Sequence, residues 1–105
     1  DEKLIERAIA NILSNAVRYA KKTVSISCQL LENQMLEIRL SNDGKTISDK
    51  DKPHLFERFY KGEGGHFGIG LAITKEIIDR HHGEIQVVSD DQETCFTIRL
   101  PLRQY

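Results

Sequence analysis

Three short segments of this 105-residue chain carry side chains suited to chemistry. Asn11 and Asn15 stand four residues apart, and Arg18 and Tyr19 follow one turn later. On a helix, that spacing puts both amides on one face. Asparagine is a poor helix former, and beside apolar neighbours it is costly unless its amide is used. An amide oxygen can ligate Mg²⁺ whose charge is met by phosphate oxygens, and Arg18 and Tyr19 could hold those phosphates. Two solvent-facing asparagines on a helix edge would account for the same residues. Asn42-Asp43-Gly44 follows a strand-like run. Its glycine would let backbone approach a flat ligand, and its amide or carboxylate could accept a hydrogen bond from an adenine amine. A plain turn favours the same residue types. Gly68-Ile69-Gly70-Leu71-Ala72 opens a helical pattern, where free N–H groups and the dipole favour phosphate. With no strand before it, this is not the dinucleotide fingerprint.

The elements that must position these residues follow from periodicity. Leu4, Ile5, Ala8, Ile9, Ile12, Leu13, Ala16 and Val17 recur at helical spacing, so Glu2–Ala20 reads as an amphipathic helix with Asp1 as its N-cap. Thr23–Leu31 alternates with Val24, Ile26, Cys28 and Leu30 in phase. Met35–Leu40 alternates after the polar turn Glu32-Asn33-Gln34, giving an antiparallel hairpin. Ser41–Lys52 reads as loop, and Pro53 opens a short helix carrying Leu55, Phe56 and Phe59. Lys61–His66 is a short glycine-rich flap. Gly68–His82 is a second amphipathic helix, with Leu71, Ile73, Thr74, Ile77 and Ile78 inward and Gly83 just past its end. Glu84–Ser89 and Thr94–Leu100 form a second hairpin. Hairpins with helices set apart give an α+β, two-layer sandwich.

Composition excludes several classes. The net charge of −1 and the scattered basic residues leave no electrostatic footprint for nucleic acid or anionic lipid. No apolar run is long enough to span a membrane. Cys28 and Cys95 stand far apart in alternating segments and read as two buried free thiols. His54, His66, His81 and His82 read as surface histidines, without the ligand spacing of a zinc site. The chain opens inside a helical pattern, which reads as a cut boundary within a longer protein.

The order of these signals is more specific than any one of them. An asparagine pair on a helix, Asn-Asp-Gly after a strand, Phe56-Glu57-Arg58-Phe59-Tyr60, then Gly-x-Gly-Leu-Ala at a helix start resembles the ATP-binding catalytic domain of sensor histidine kinases. That family shares a superfamily with gyrase, the MutL repair ATPase and a heat-shock chaperone. The resemblance runs from Leu4 to Leu102, so residues 1–105 read as one catalytic domain excised from a larger receptor. It implies a Bergerat-type fold, with a mixed, mostly antiparallel sheet covered on one face by helices. It also implies ATP and Mg²⁺ as cofactors, with Asn15 at the metal-binding position and Asn11, Arg18 and Tyr19 near the triphosphate. Asn42 to Ile47 match the adenine box, with Asn42, Asp43, Gly44 and Ile47 toward the nucleotide; Phe56 to Lys61 match the F box, with Phe59, Tyr60 and Lys61 toward it; and Gly68, Ile69, Gly70 and Leu71 match the second glycine box. Thr94 stands where the superfamily places a threonine near adenine.

Two departures stand out. The family's aspartate position holds Asn42 and its second glycine position holds Thr46, and the flap is short. Asn42 can still accept from an adenine amine, without a carboxylate's charge. Asp43 is the substitute if the register slips. The superfamily's ATPases place a water-activating glutamate where this chain has Asn11, which has no useful basicity. Phosphoryl transfer to an imidazole therefore suits the site better than hydrolysis. Implied partners are a dimerisation and phosphoacceptor domain upstream and a response regulator, with no nucleic acid and no direct membrane contact. The domain would lie on the cytoplasmic side of a bacterial membrane sensor, and the isolated fragment would be monomeric. A serine kinase of the anti-sigma-factor type and a nucleotide-binding regulatory module with little catalysis are the alternatives. Every version needs a Mg²⁺-bound triphosphate between the amide-bearing face of the first helix and the glycine-rich start of the last.

Overall fold

The computed structural model describes residues 2–44, 46–57 and 68–102. Helix α1 (Glu2–Tyr19) contains no glycine or proline, and Glu2 and Arg18 complement the dipole at its two ends. Strand β1 (Ala20–Leu31) follows it directly, and a short 3-10 turn at Glu32–Gln34 leads into β2 (Met35–Gly44). Both strands extend beyond the alternating runs. A second 3-10 turn (Lys52–His54), with the expected proline as its second residue, is followed by a buried Leu55 and a half-buried Phe56. Helix α2 (Gly68–Arg80), β3 (Glu84–Ser89) and β4 (Thr94–Pro101) complete the order. The Asp1 cap, the flap, Phe59, Tyr60 and Lys61 lie outside the described residues.

The strands form one sheet in the order β1-β2-β4-β3, and among the described residues every pairing is antiparallel rather than mixed. Both helices pack on one face. Register stacks the inner face in layers: Leu36 with Leu100, then Ile38, Ile98 and Ile85, then Leu40, Phe96 and Val87. Ala8 and Ile12 of α1 and Leu71, Ile77 and Ile78 of α2 close over them. Each large side chain fully buried there contributes about 1.5–3 kcal/mol. Phe56 meets Phe96 edge to face, 6.4 Å between centroids.

α1 leaves the outermost strand largely uncovered. Val17 is 62% and Leu30 67% exposed, and Ile26 is exposed as well. The expectation of two buried thiols fails too, for Cys28 because its strand is uncovered and for Cys95 because it faces away from the helices. Both cysteines are free, but Cys28 on this edge strand is exposed and Cys95 is half-buried on the opposite face. On that outer face, Gln29, Glu37, Arg99 and Glu84 form a row across all four strands. Glu37 accepts from Arg99 at 2.9 Å, Arg39 at 3.0 Å and Gln29 at 3.2 Å. The bond from Arg99 is the main reason that the Glu37 carboxyl sits below its usual pKa.

The end of α2 also differs from expectation. His82 takes the left-handed conformation (φ 62°), and Gly83 donates back to Ile78 O at 3.0 Å. This is a Schellman-type stop with histidine where glycine is usual. Gly83 is needed one residue later, since a Cβ there would lie 2.5 Å from Arg99 O.

Candidate functional site

The inner face of the sheet changes character at one end. The layer after Leu40 and Phe96 continues the same phase but consists of Asn42, Thr94 and Ser89, side by side on β2, β4 and β3. These residues are 4%, 5% and 7% exposed. Three buried polar side chains at core positions must be hydrogen-bonded or used. Asn42 Nδ2 donates to Asp43 O at 2.9 Å. Because a carbonyl can only accept, that bond leaves the amide oxygen as the acceptor end of the side chain, and among the described residues no hydrogen bond engages it. Ser89 Oγ accepts from Ile47 N–H at 2.9 Å and lies 2.6 Å from Thr94 Oγ1.

Both helices deliver an end to this layer. Tyr19 O packs against Gly44, so α1 terminates beside the end of β2. The helices run antiparallel: Thr74 Oγ1 donates to Ala8 O at 3.5 Å, and Leu4, Arg7, Ile73, Glu76, Ile77 and Arg80 line the groove nearer the start of α1. From that crossing, Asn15 lies about 10 Å along one axis and Gly68 about 9 Å along the other, in the same direction. Asn11 and Asn15 are half-buried, Arg18 is exposed and Tyr19 is partly buried. Burial raises the pKa of the Tyr19 phenol, and the neighbouring Arg18 opposes that shift. The amide face of α1, the first turn of α2 and the Asn42-Thr94-Ser89 layer therefore share one end of the molecule.

Other site candidates serve different ends. Asp43 Oδ1 accepts the backbone N–H groups of Lys21, Lys22 and Thr23 at 3.0, 3.0 and 2.9 Å. The register shifts there, with Ala20 opposite Gly44 but Val24 opposite Asn42. The bulged amides thus lose ladder partners and find the carboxylate instead. These bonds, led by those from Lys22 and Thr23, hold Asp43 below the usual carboxylate pKa. Gly44 is required by its φ of +148° and by Tyr19 O, which would sit 2.3 Å from an added Cβ. Leu71 is spent on the core. Thr46, at the expected second-glycine position, donates its hydroxyl to Asp90 O at 2.7 Å and pins the loop after β2 to the β3–β4 turn. The side chains of residues 68–70 lie outside those described.

Comparison with known proteins decides the family. The family described as "Histidine kinase-, DNA gyrase B-, and HSP90-like ATPase" matches residues 1–104. The chain belongs to that ATPase family. Curated relatives of this ATPase-family domain include the heme sensor protein HssS of Staphylococcus haemolyticus, 39% identical over 105 residues, covering 96% of the chain and 23% of that protein. The sensor histidine kinase CusS of Escherichia coli is 40% identical over 111 residues, covering 96% and 22%. The chain thus spans less than a quarter of the length of these relatives. Among solved structures, the mycobacterial sensor histidine kinase MprB superposes with a TM-score of 0.87 at 25% identity, over 100% of this chain and 76% of that one. The catalytic domain of the histidine kinase ThkA shares the fold with a TM-score of 0.84 at 24% identity, over 96% and 69%. The two-layer α+β sandwich read from the sequence is the fold of these ATPase domains.

Ser89 escaped the sequence reading, although a signal for it existed. Ser89 and Thr94 bracket the turn Asp90-Asp91-Gln92-Glu93, so they face each other as the last pair of the hairpin.

Proposed function

We propose that this ATPase-family domain binds Mg²⁺-ATP and transfers the γ-phosphoryl group to a histidine on an adjoining dimerisation domain, from which it passes to a response regulator. One observation carries the reading. The amide face of α1, the N-terminus of α2 and a buried polar layer with an unengaged acceptor on Asn42 converge at one end of the fold. The donor set fits a nucleotide. Asn42 Oδ1 would accept from the adenine amine, with Thr94 beside it. The free N–H groups opening α2, with Arg18, would face phosphate oxygens. Asp43 would act at one remove, by holding the α1–β1 junction.

Asn15 would hold Mg²⁺, which when bound offsets phosphate charge and orients the transferring group. Among the described residues no three His, Cys, Asp or Glu side chains gather as a metal cage, so phosphate oxygens would complete the coordination. Asn11 supplies no base for water, which favours transfer over hydrolysis. Relatives named as a probable sensor kinase and a sensor histidine kinase support a histidine acceptor. Among the described residues no helix is long and apolar enough to cross a membrane. The reading places the domain on the cytoplasmic side of a membrane sensor, anchored by other parts of that protein.

The test is calorimetric titration of the chain with ATP, with and without Mg²⁺. Asn15→Ala is expected to reduce affinity in Mg²⁺ to the metal-free level, a loss of about tenfold or more for one ligand plus its charge-assisted contacts. Equal affinities for both proteins in Mg²⁺ would remove Asn15 from the site. The chain alone, given labelled ATP, is expected to leave His54, His66, His81 and His82 unphosphorylated.

A further inference from the structure

We infer that Asp43 is a positioning residue for the phosphate end of the site, coupling the base-side strand to the helix turn that presents Arg18. This inference rests on the nucleotide reading above and deepens it. It starts where the core releases α1. Ile12 and Ala16 are 0% exposed, and Ala16 is the last buried residue of the helix. Packing thus holds α1 through Asn15 and Ala16. Beyond them Val17 and Arg18 are exposed, and Tyr19 and Ala20 are half-buried. The core therefore secures the final turn only in part, and helix ends with few buried contacts fray. A guanidinium placed there needs a second hold.

The bulge supplies it. α1 passes into β1 with no residue between them, and pairing with β2 is interrupted between Ala20 and Val24. The N–H groups of Lys21, Lys22 and Thr23 all donate to Asp43 Oδ1, at 3.0, 3.0 and 2.9 Å. One carboxylate oxygen thus sets the direction in which the backbone leaves the helix, three residues after Arg18. The residues on either side of Asp43 tie the same segment to both ends of the site. Asn42 Nδ2 donates to Asp43 O at 2.9 Å, and Gly44 lies against Tyr19 O. Asn42 also keeps its place opposite Thr94 through a ladder to β4 that does not involve β1. Removing the carboxylate therefore leaves the base-side layer standing and hands three exposed amides to water at once. The final turn of α1 then shifts against that layer and takes Arg18 with it. The loss falls on phosphate contacts rather than on the base.

The experiment measures binding of Mg²⁺-ATP and of adenosine, which has no phosphates, to the 105-residue chain by NMR titration. Asp43→Ala is expected to weaken ATP about tenfold, the factor carried by one charge-assisted contact, and to leave adenosine unchanged. Arg18→Ala is expected to do the same. The double variant is expected to lose no more than either alone, because both changes remove one contact. Asp43→Asn keeps an acceptor oxygen and is expected to retain most of the ATP affinity. If Asp43→Ala does not fold, Asp43→Asn takes its place, and its smaller loss is expected to vanish when Arg18 is already alanine. Equal weakening of ATP and adenosine would show a merely structural role, or direct contact with the base, and overturn the inference. Losses at Asp43 and Arg18 that add in full would overturn it too, as would an Asp43→Ala variant that binds ATP like wild type. Any of these results with a wild type that binds ATP sinks the coupling alone. A wild type that binds neither ligand sinks the nucleotide reading and the coupling with it.

Discussion

Gly44→Ala separates two explanations of a glycine beside a ligand site. The sequence suggests that it clears space for a flat molecule, whereas the structure shows the end of α1 occupying that space. An alanine Cβ would lie 2.3 Å from Tyr19 O, roughly 1 Å inside ordinary carbon–oxygen contact of about 3.3 Å. A φ of +148° is also a glycine conformation, and holding another residue in such a region costs about 1–3 kcal/mol. Overpacking against backbone that cannot rotate away adds roughly 1–3 kcal/mol. The expected loss is about 2–6 kcal/mol, which for a domain of this size lowers the melting temperature by at least about 8 °C. Thermal unfolding followed by circular dichroism without nucleotide is the assay. A variant melting within about 2 °C of wild type while losing affinity for ATP would refute the packing argument and return this glycine to the ligand.

Other consequences can be tested as directly. Asp43 has its pKa depressed in the fold, so its contribution is present above the unfolded-state value and lost as pH falls through the folded one. Asp43→Asn is therefore expected to melt lower at neutral pH and to show a flatter loss of stability below about pH 4 than wild type. Parallel acid limbs would contradict this. His82→Gly relieves a left-handed residue at the stop of α2 and is expected to raise stability by about 0.5–1 kcal/mol in urea titrations. An unchanged midpoint would show that His82 makes compensating contacts.

How much was legible in the sequence depended on what each pattern reports. Alternation located the β3–β4 hairpin almost to the residue, because both strands face a buried layer along their length. The same alternation misled in β1: Val24, Ile26, Cys28 and Leu30 keep the phase of a buried face, but among the described residues no helix covers this edge strand. Periodicity describes a surface, while coverage depends on packing elsewhere in the chain. The ends of β1 and β2 ran past the alternating runs, because Asp43 rescues the amides of a bulge that no local rule announces. The asparagine pair, the adenine-box segment and Thr94 were legible only as candidate residue types. The division of labour within that segment was not, since Asn42 and Asp43 differ in the backbone each one faces. Ser89 became visible only through register.

The apolar layers of the inner face stop one row short of the end of the sheet, so on the proposed function the nucleotide base completes the stack. Folding and cargo are then thermodynamically linked. At a ligand concentration a hundred times Kd, a folded state that alone binds gains about 2.7 kcal/mol. A domain built in this way would be sturdiest when its cell is energetically replete and would loosen during starvation, which makes its melting curve a gauge of nucleotide supply.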